Sequence, residues 1–254
     1  MSKQARSRTA LIFLVIFFTA ANEFDHGGII RGNIHQKRIA LVFTADEFGD
    51  GKEIISSTLR KHRVKASFFF TGRFYRNSSF RAAIKSLKNQ GHYLGPHSDQ
   101  HLLYCDWTNR DSLLVTKQQF LTDLNNNISA IEKFGIKRSA IKFFLPPYEW
   151  FNDSITLWTK QMKMQLINFS PGTKSTADYT TPDMKTYVGS EEIYKSITRK
   201  EANDPNGLNG FILLIHFGTD PKRKDKFYNY LDKLVTELKN KNYQFTTVEH
   251  VLES

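Results

Sequence analysis

Cysteine is almost absent from this sequence. Cys105 is the only cysteine in 254 residues, so an internal disulfide is impossible and the fold must depend on its hydrophobic core. Cys105 follows His101 by four residues, but we expect a buried, unreactive thiol there and not a metal ligand. The sequence also lacks internal repeats, low-complexity tracts and any interdomain linker. We therefore expect a single domain of ordinary size for an α/β protein.

Long apolar runs are lacking as well. The run from Ala10 to Ala21 has twelve residues, whereas a transmembrane helix needs about 20. Three basic residues precede this run and small residues end it, a pattern typical of a secretory signal peptide. We predict that residues 1–21 are a cleaved signal, with an uncleaved membrane anchor or a buried helix as alternatives. A cleaved signal makes the protein secreted or periplasmic with no stable membrane span, and an anchor would attach it to a membrane.

Acidic residues are fewer than basic ones. The 25 Asp and Glu against 36 Lys and Arg give a net charge of +11, and the part after residue 21 keeps +8 because Lys3, Arg6 and Arg8 precede it. A basic surface attracts acidic glycans, anionic membranes or nucleic acid, although it also serves simply as a solvated surface. No nucleic-acid-binding motif surrounds the basic stretches, so we predict no nucleic-acid partner.

Apolar runs of strand length alternate with segments of helical spacing. The strand candidates are residues 39–45, 64–71, 141–145, 165–169, 211–217 and 243–247, and the helix candidates are residues 50–63, 80–89, 116–134, 152–162 and 225–240. Runs without alternation are typical of strands that are covered on both faces, as in parallel sheets. The order predicts either a (β/α) barrel or a doubly wound sheet with seven or eight strands, preceded by an irregular segment at residues 22–37.

Short polar segments end several of the apolar runs. They are Thr44–Glu47, His97–His101, Leu145–Tyr148 and Leu214–His216. Loops at the carboxyl ends of parallel strands carry the chemistry of α/β folds, so we expect these segments to meet at one site. Carboxylates and imidazoles together indicate a divalent metal flanked by a general base and a general acid.

These segments resemble the motifs of the polysaccharide deacetylase family, also called the NodB-homology domain or carbohydrate esterase family four. Thr44-Ala45-Asp46-Glu47 is similar to the first motif, Thr-Phe-Asp-Asp, and His97-Ser98-Asp99-Gln100-His101 to the second, His-Ser/Thr-x-x-His. Leu145–Tyr148 resembles Arg-x-Pro-Tyr, and Leu214–His216 resembles Leu-x-His. The resemblance implies a distorted, NodB-like (β/α) barrel of seven or eight parallel strands, with a catalytic domain at residues 38–254.

An isolated pair of histidines at this spacing is more often unrelated surface or core residues, but together with the carboxylate pair and the flanking segments it indicates metal binding. His97 and His101 are four residues apart, which brings both imidazoles within reach of one ion on a helical turn or at the two ends of a short loop. The resemblance implies that Glu47 is the third ligand. Zinc suits two imidazoles and one carboxylate best, and nickel or cobalt would fit the same set.

The resemblance also implies the catalytic roles. Asp46 would be the general base and His216 the general acid. Asp178-Tyr179 weakly resembles the family's Asp-Trp motif, which implies that Asp178 orients His216 or tunes its charge. The backbone N–H of Tyr148 would stabilise the oxyanion. The implied reaction is the hydrolysis of N- or O-linked acetyl groups on a polysaccharide or oligosaccharide.

Two differences from the family pattern affect positions with an implied chemical role. Glu47 stands where the family has Asp, which adds one methylene to the ligand. Leu145 stands where the family has the arginine that holds and tunes the catalytic Asp. We expect a less acidic base unless another cation, such as Lys142 or Lys174, takes that role. These differences keep two alternatives open: a metal amidohydrolase acting on a small amide or imide, and a non-catalytic glycan-binding module.

Several aromatic residues lie close in sequence to the polar segments. An acetylated glycan could stack on them, and packing in the core or at the rim is the alternative. They are Tyr104, Trp107, Trp150, Phe151 and Tyr179.

Overall fold

The computed structural model describes residues 22–252; residues 1–21, which include the predicted signal peptide, and residues 253–254 lie outside the described residues. The strands are β1 (Glu23–Asp25), β2 (Gly28–Arg31), β3 (Arg38–Ala45), β4 (Ser67–Phe70), β5 (Tyr93–Pro96), β6 (Phe143–Phe144), β7 (Gln165–Leu166), β8 (Phe211–His216) and β9 (Gln244–Thr246). The helices are α1 (Lys52–His62), α2 (Gly72–Arg76), α3 (Arg81–Asn89), α4 (Lys117–Glu132), α5 (Asp153–Gln161), α6 (Ser190–Asn203), α7 (Leu231–Asn240) and α8 (Val248–Leu252). None of these helices is long and apolar enough to cross a bilayer.

The sheet is a curled, mostly parallel one that nearly closes on itself. Its order is β1-β2-β8-β3-β4-β5, with β9 beside the first residues of β3, and only the β1–β2 and β2–β8 pairings are antiparallel. The short parallel pair β6–β7 lies in the gap between β5 and β8. The Leu145 N–H donates to Pro96 O at the end of β5 at 3.3 Å, and the Ser170 N–H donates to Ile212 O of β8 at 2.9 Å. The distorted NodB-like barrel is therefore confirmed.

β3 shows why continuous apolar runs form this barrel. Every residue of β3 after Arg38 is buried. Ala40 and Val42 pack inside the barrel, whereas Leu41 and Phe43 pack under the helices. Each large apolar side chain removed from water stabilises the fold by roughly 1.5–3 kcal/mol, so a strand buried on both faces needs no polar alternation.

Local signals explain several helix ends. α4 begins after Thr116, whose hydroxyl accepts from the Gln119 N–H while the Gln119 side chain accepts from the Thr116 N–H, as the capping-box pattern predicts. α5 begins after Asn152, whose side chain accepts from the Ile155 N–H. α1 ends at His62, and the next residue, Arg63, adopts a left-handed conformation with φ of 55°.

Parts of the fold differ from the expectation. Residues 22–37 are not wholly irregular, because β1 and β2 form a hairpin there and β2 pairs with β8. Buried Arg31 anchors this strand by donating to Asn209 O at 2.8 Å and Gly207 O at 3.0 Å. β5 and α6 have no counterpart among the predicted elements, and the first part of the predicted helix 225–240 is a 3₁₀ turn at Phe227–Tyr230.

Candidate active site

The carboxyl ends of the central strands are level with one another. Thr44 of β3 pairs with His216, the last residue of β8, and Ala45 pairs with Phe70, which in turn pairs with Pro96 of β5. The residues that follow these strands therefore open into one cavity of about 530 Å³. Its lining includes Asp46, Glu47, His97, His101, Trp107, Tyr148, Glu149, Tyr179 and His216. The structure thus brings together the early acids, the histidine pair and the late histidine.

Asp46 is held from two sides. The Thr71 hydroxyl donates to Asp46 Oδ1 at 2.9 Å, and Arg73 Nε donates to the same oxygen at 3.0 Å. A terminal guanidinium nitrogen of Arg73 also contacts Asp46 Oδ2. The Asp46 side chain keeps 21% of its surface exposed toward the cavity. A two-point guanidinium contact fixes the plane of the carboxylate as well as its position.

The histidine pair lies on a loop and not on a helical turn. Ser98 and His101 both adopt left-handed conformations, with φ of 70° and 56°. The loop is tied down by buried Asp123, which accepts from the backbone N–H groups of Asp99 and Gln100, each at 3.0 Å. This bent backbone brings the His97 and His101 ring centroids to 5.1 Å.

Both imidazoles have the protonation state that a metal ligand needs. Burial holds the pKa of His97 well below its usual range, with a smaller contribution from His101. Burial also lowers the pKa of His101 to about 4, and the charge of Asp46 only partly opposes that shift. His97 Nδ1 lies 2.8 Å from Leu145 O, so Nδ1 donates to this carbonyl and Nε2 keeps its lone pair.

The donor chemistry fits a divalent metal, although the ligand set is not assembled. Glu47 lines the same cavity as the two imidazoles but is exposed. Among residues 22–252, no three His, Cys, Asp or Glu side chains are arranged around one ion. A metal held by His97, His101 and Glu47 therefore requires the longer Glu47 side chain to turn toward the imidazoles.

His216 lines the cavity and forms a pair with Asp178. Asp178 is buried in the 3₁₀ turn Ser175–Tyr179, and its Oδ1 lies 2.6 Å from His216 Nδ1. Burial lowers the pKa of His216, but the charge and hydrogen bond of Asp178, together with the charge of Glu149, raise it above its usual value overall. His216 therefore remains protonated to higher pH than a free imidazole.

The cations proposed to replace the missing arginine are engaged elsewhere. Leu145 is fully buried inside the barrel. Lys142 forms an ion pair with Glu249, and Lys174 lies 3.1 Å from Glu192. The sequence reasoning missed Arg73, which contacts Asp46 instead. Its position two residues after the strand candidate 64–71 was the available signal.

The Pro-Pro-Tyr turn also holds a residue that the sequence reasoning missed. Tyr148 and Glu149 both adopt left-handed conformations, with φ of 59° and 54°, and the Asn168 side-chain amide donates to Glu149 O at 2.8 Å. Burial raises the pKa of Glu149 to about 7, the charge of His216 lowers it and that of Asp178 raises it. Glu149 directly follows the polar segment that the sequence singled out.

The aromatic residues divide into two groups. Trp107 and Tyr179 line the cavity and are about half exposed, and the Tyr179 ring centroid lies 5.4 Å from that of His216. Trp150 stacks behind Trp107 and donates to Asp106 O at 3.1 Å. The exposed rings of Trp107 and Tyr179 at the cavity suit stacking against a sugar.

Trp150 does not line the cavity, and two further aromatic residues are buried in the core. Tyr104 is fully buried, packs against Phe120 and donates to Asp123 Oδ2 at 2.8 Å, so its predicted role in substrate binding is wrong. Phe151 is also fully buried. Cys105 is buried, as expected, and burial raises the pKa of its thiol to about 11.

Known proteins share both the sequence pattern and the fold. The family model described as polysaccharide deacetylase matches residues 31–167. A peptidoglycan-N-acetylmuramic acid deacetylase of Bacillus subtilis is 24% identical over 221 residues, which cover 87% of this chain and 73% of the relative. A family 4 carbohydrate esterase pseudoenzyme from Bacillus anthracis superposes with a TM-score of 0.68 at 21% identity, covering 91% of this chain and 70% of that one. A family 4 acetyl xylan esterase from Clostridium thermocellum, solved with cobalt, gives a TM-score of 0.64 at 20% identity, covering 84% and 89%.

Proposed function

Because the chain belongs to the polysaccharide deacetylase family, we propose that it is a metal-dependent hydrolase that removes acetyl groups from a glycan. The observation that carries this proposal is the convergence of Asp46, the two neutral imidazoles of His97 and His101, and the Asp178–His216 pair on one cavity. A base, a pair of metal-ligand candidates and an acid at one site are the groups that hydrolysis of an amide or ester needs.

His97, His101 and Glu47 would hold the metal. When bound, a divalent ion of this kind polarises the acetyl carbonyl and lowers the pKa of a bound water. Zinc suits two imidazoles and one carboxylate, and nickel or cobalt fits the same donors. The cobalt reported with the acetyl xylan esterase supports this choice of ions.

The protein side chains move the protons. Asp46 would accept a proton from the attacking water, because Thr71 and Arg73 fix its carboxylate at the cavity. His216 would donate a proton to the departing amine or alcohol, and its raised pKa keeps that proton in place to higher pH than in a free imidazole. The Tyr148 backbone N–H would stabilise the oxyanion from the rigid turn after two prolines.

The proposed substrate is an acetylated polysaccharide or oligosaccharide. The peptidoglycan deacetylase and the acetyl xylan esterase named above support this class, and exposed Trp107 and Tyr179 offer ring faces at the cavity. The basic pattern and apolar run at the amino end support a secreted or periplasmic site of action, or a membrane-anchored one.

A non-catalytic glycan-binding module is the second candidate. The pseudoenzyme neighbour and the exposed position of Glu47 favour it. Such a protein would retain the aromatic cavity but would release no acetate.

Acetate release distinguishes the candidates. The full-length protein is supplied with zinc and assayed on acetylated xylan, chitin oligomers and peptidoglycan, with and without chelator, and the metal content of wild type and His101→Ala is measured. The enzyme proposal predicts chelator-sensitive release and loss of metal in His101→Ala. Acetate release that is unchanged by chelator would refute the metal dependence. Glycan binding without acetate release would favour the binding module.

A further inference from the structure

We propose that Arg73 is the positioning residue of the Asp46 carboxylate, supplying from α2 the cation that position 145 lacks. The inference rests on the proposed role of Asp46 as the base. It concerns a residue outside the polar segments that the sequence singled out.

The contact between the two side chains is directional. Arg73 Nε donates to Asp46 Oδ1 at 3.0 Å while its terminal nitrogen contacts Oδ2, so both oxygens face one guanidinium edge. The Thr71 hydroxyl adds a bond to Oδ1 at 2.9 Å. One hydroxyl allows the carboxylate to rotate, whereas the planar fork of an arginine does not.

Arg73 is itself held in place by the backbone. Thr71 caps α2 by accepting from the Phe74 N–H at 3.2 Å. The Gly72 N–H donates to Ser98 O at 3.1 Å and the Arg73 N–H donates to Asp99 O at 3.3 Å, so α2 is attached to the loop of the histidine pair. A Cβ on Gly72 would lie 1.7 Å from Asp99 Oδ1, and only glycine permits this close approach.

The same contacts give Arg73 a specific mechanical role. Its guanidinium orients the proposed base, and its backbone fixes the distance between that base and the loop carrying His97 and His101. Burial of Leu145 and the ion pairs of Lys142 and Lys174 leave those three positions unable to take this role.

Crystal structures of Arg73→Ala and of a control variant test the positioning directly. The control is Arg81→Ala, which removes an exposed arginine from α3. We expect the Asp46 carboxylate to leave its wild-type orientation in Arg73→Ala and to keep it in Arg81→Ala. An unchanged carboxylate in Arg73→Ala would overturn the proposal, whether or not the wild-type protein is active.

Kinetics supply a second readout in the active full-length protein. We expect kcat of Arg73→Ala to fall by about 10²-fold with a smaller change in KM, because misplacing a reacting group by about 1 Å costs that much. Added guanidinium chloride at a non-denaturing concentration should restore part of kcat in Arg73→Ala and none in Asp46→Asn. Wild-type kcat in Arg73→Ala would overturn the inference, while a wild-type protein without acetate release would refute the proposed function and leave the crystallographic test to decide the role of Arg73.

Discussion

Asp178 contacts His216 through both carboxylate oxygens: its Oδ1 lies 2.6 Å from the Nδ1 atom of the imidazole, and its Oδ2 accepts from the His216 backbone N–H at 2.9 Å. The buried carboxylate therefore sets both the tautomer and the rotation of the ring. Nδ1 faces the carboxylate, which leaves Nε2 as the atom that would carry a proton to substrate.

Removing the charge of Asp178 should weaken the proposed general acid. Asp178→Asn loses the two largest interactions that raise the pKa of His216, so the opposing effect of burial gains weight and the imidazole deprotonates at lower pH. We expect kcat to fall by at least about tenfold and the alkaline limb of the pH–rate profile to move to lower pH. Asp183→Asn, which changes an exposed carboxylate on the following segment, is the control. An unmoved alkaline limb in Asp178→Asn would contradict this role.

Glu149 should act on His216 through its charge. Burial raises the pKa of Glu149 to about 7, so it becomes negative only near and above neutral pH, where it favours protonated His216. We expect Glu149→Gln to lower the His216 titration midpoint measured by NMR. Asp220→Asn, which alters another carboxylate lining the cavity, should leave that midpoint unchanged. Equal midpoints in Glu149→Gln and wild type would exclude this coupling.

Buried His92 should make the fold sensitive to acid. Burial, and to a smaller extent Lys65, lower the pKa of His92 from 6.5 to about 4. A lowered folded-state pKa contributes stability above pH 6.5 that is lost as pH falls toward 4, by up to roughly 3 kcal/mol. We expect the free energy of unfolding to fall less between pH 7 and pH 4 in His92→Gln than in wild type. Denaturant titrations at the two pH values measure this, and equal losses would contradict it.

Trp107 should contribute to glycan binding and not to chemistry. Its side chain is 56% exposed at the cavity and stacks on Trp150. A sugar–aromatic contact worth about 0.5–1.5 kcal/mol corresponds to a roughly two- to tenfold rise in KM for Trp107→Ala, with kcat little changed. Trp158→Phe, which alters a tryptophan packed against Phe120, is the control. A fall in kcat with unchanged KM would argue against a binding role.

The sequence predicted the elements whose signals are local. The apolar run at residues 39–45 lies within β3, and the Thr116–Gln119 capping box starts α4. β5 was not predicted because it has four residues, two of them Gly95 and Pro96, and derives its strand geometry from pairing with β4. α6 was not predicted because its charged residues outnumber its few buried apolar side chains.

The site was predictable where strand ends alone determine proximity. Asp46 follows β3 and His216 ends β8, and these neighbouring parallel strands bring the two residues together independently of loop conformation. Side-chain direction was not predictable in this way. Tyr104 lies near His101 in sequence but points into the core, and the contact of Arg73 with Asp46 depends on how α2 turns away from β4.

The most direct test of the proposed reaction is acetate release by Asp46→Asn, measured beside wild type together with the metal content of both proteins. The substitution keeps the shape of the side chain and removes its ability to take a proton. We predict equal metal content, chelator-sensitive release by wild type, and a rate about 10²- to 10⁴-fold lower in Asp46→Asn. Release at the wild-type rate by metal-loaded Asp46→Asn would contradict the role assigned to this carboxylate and the mechanism built on it.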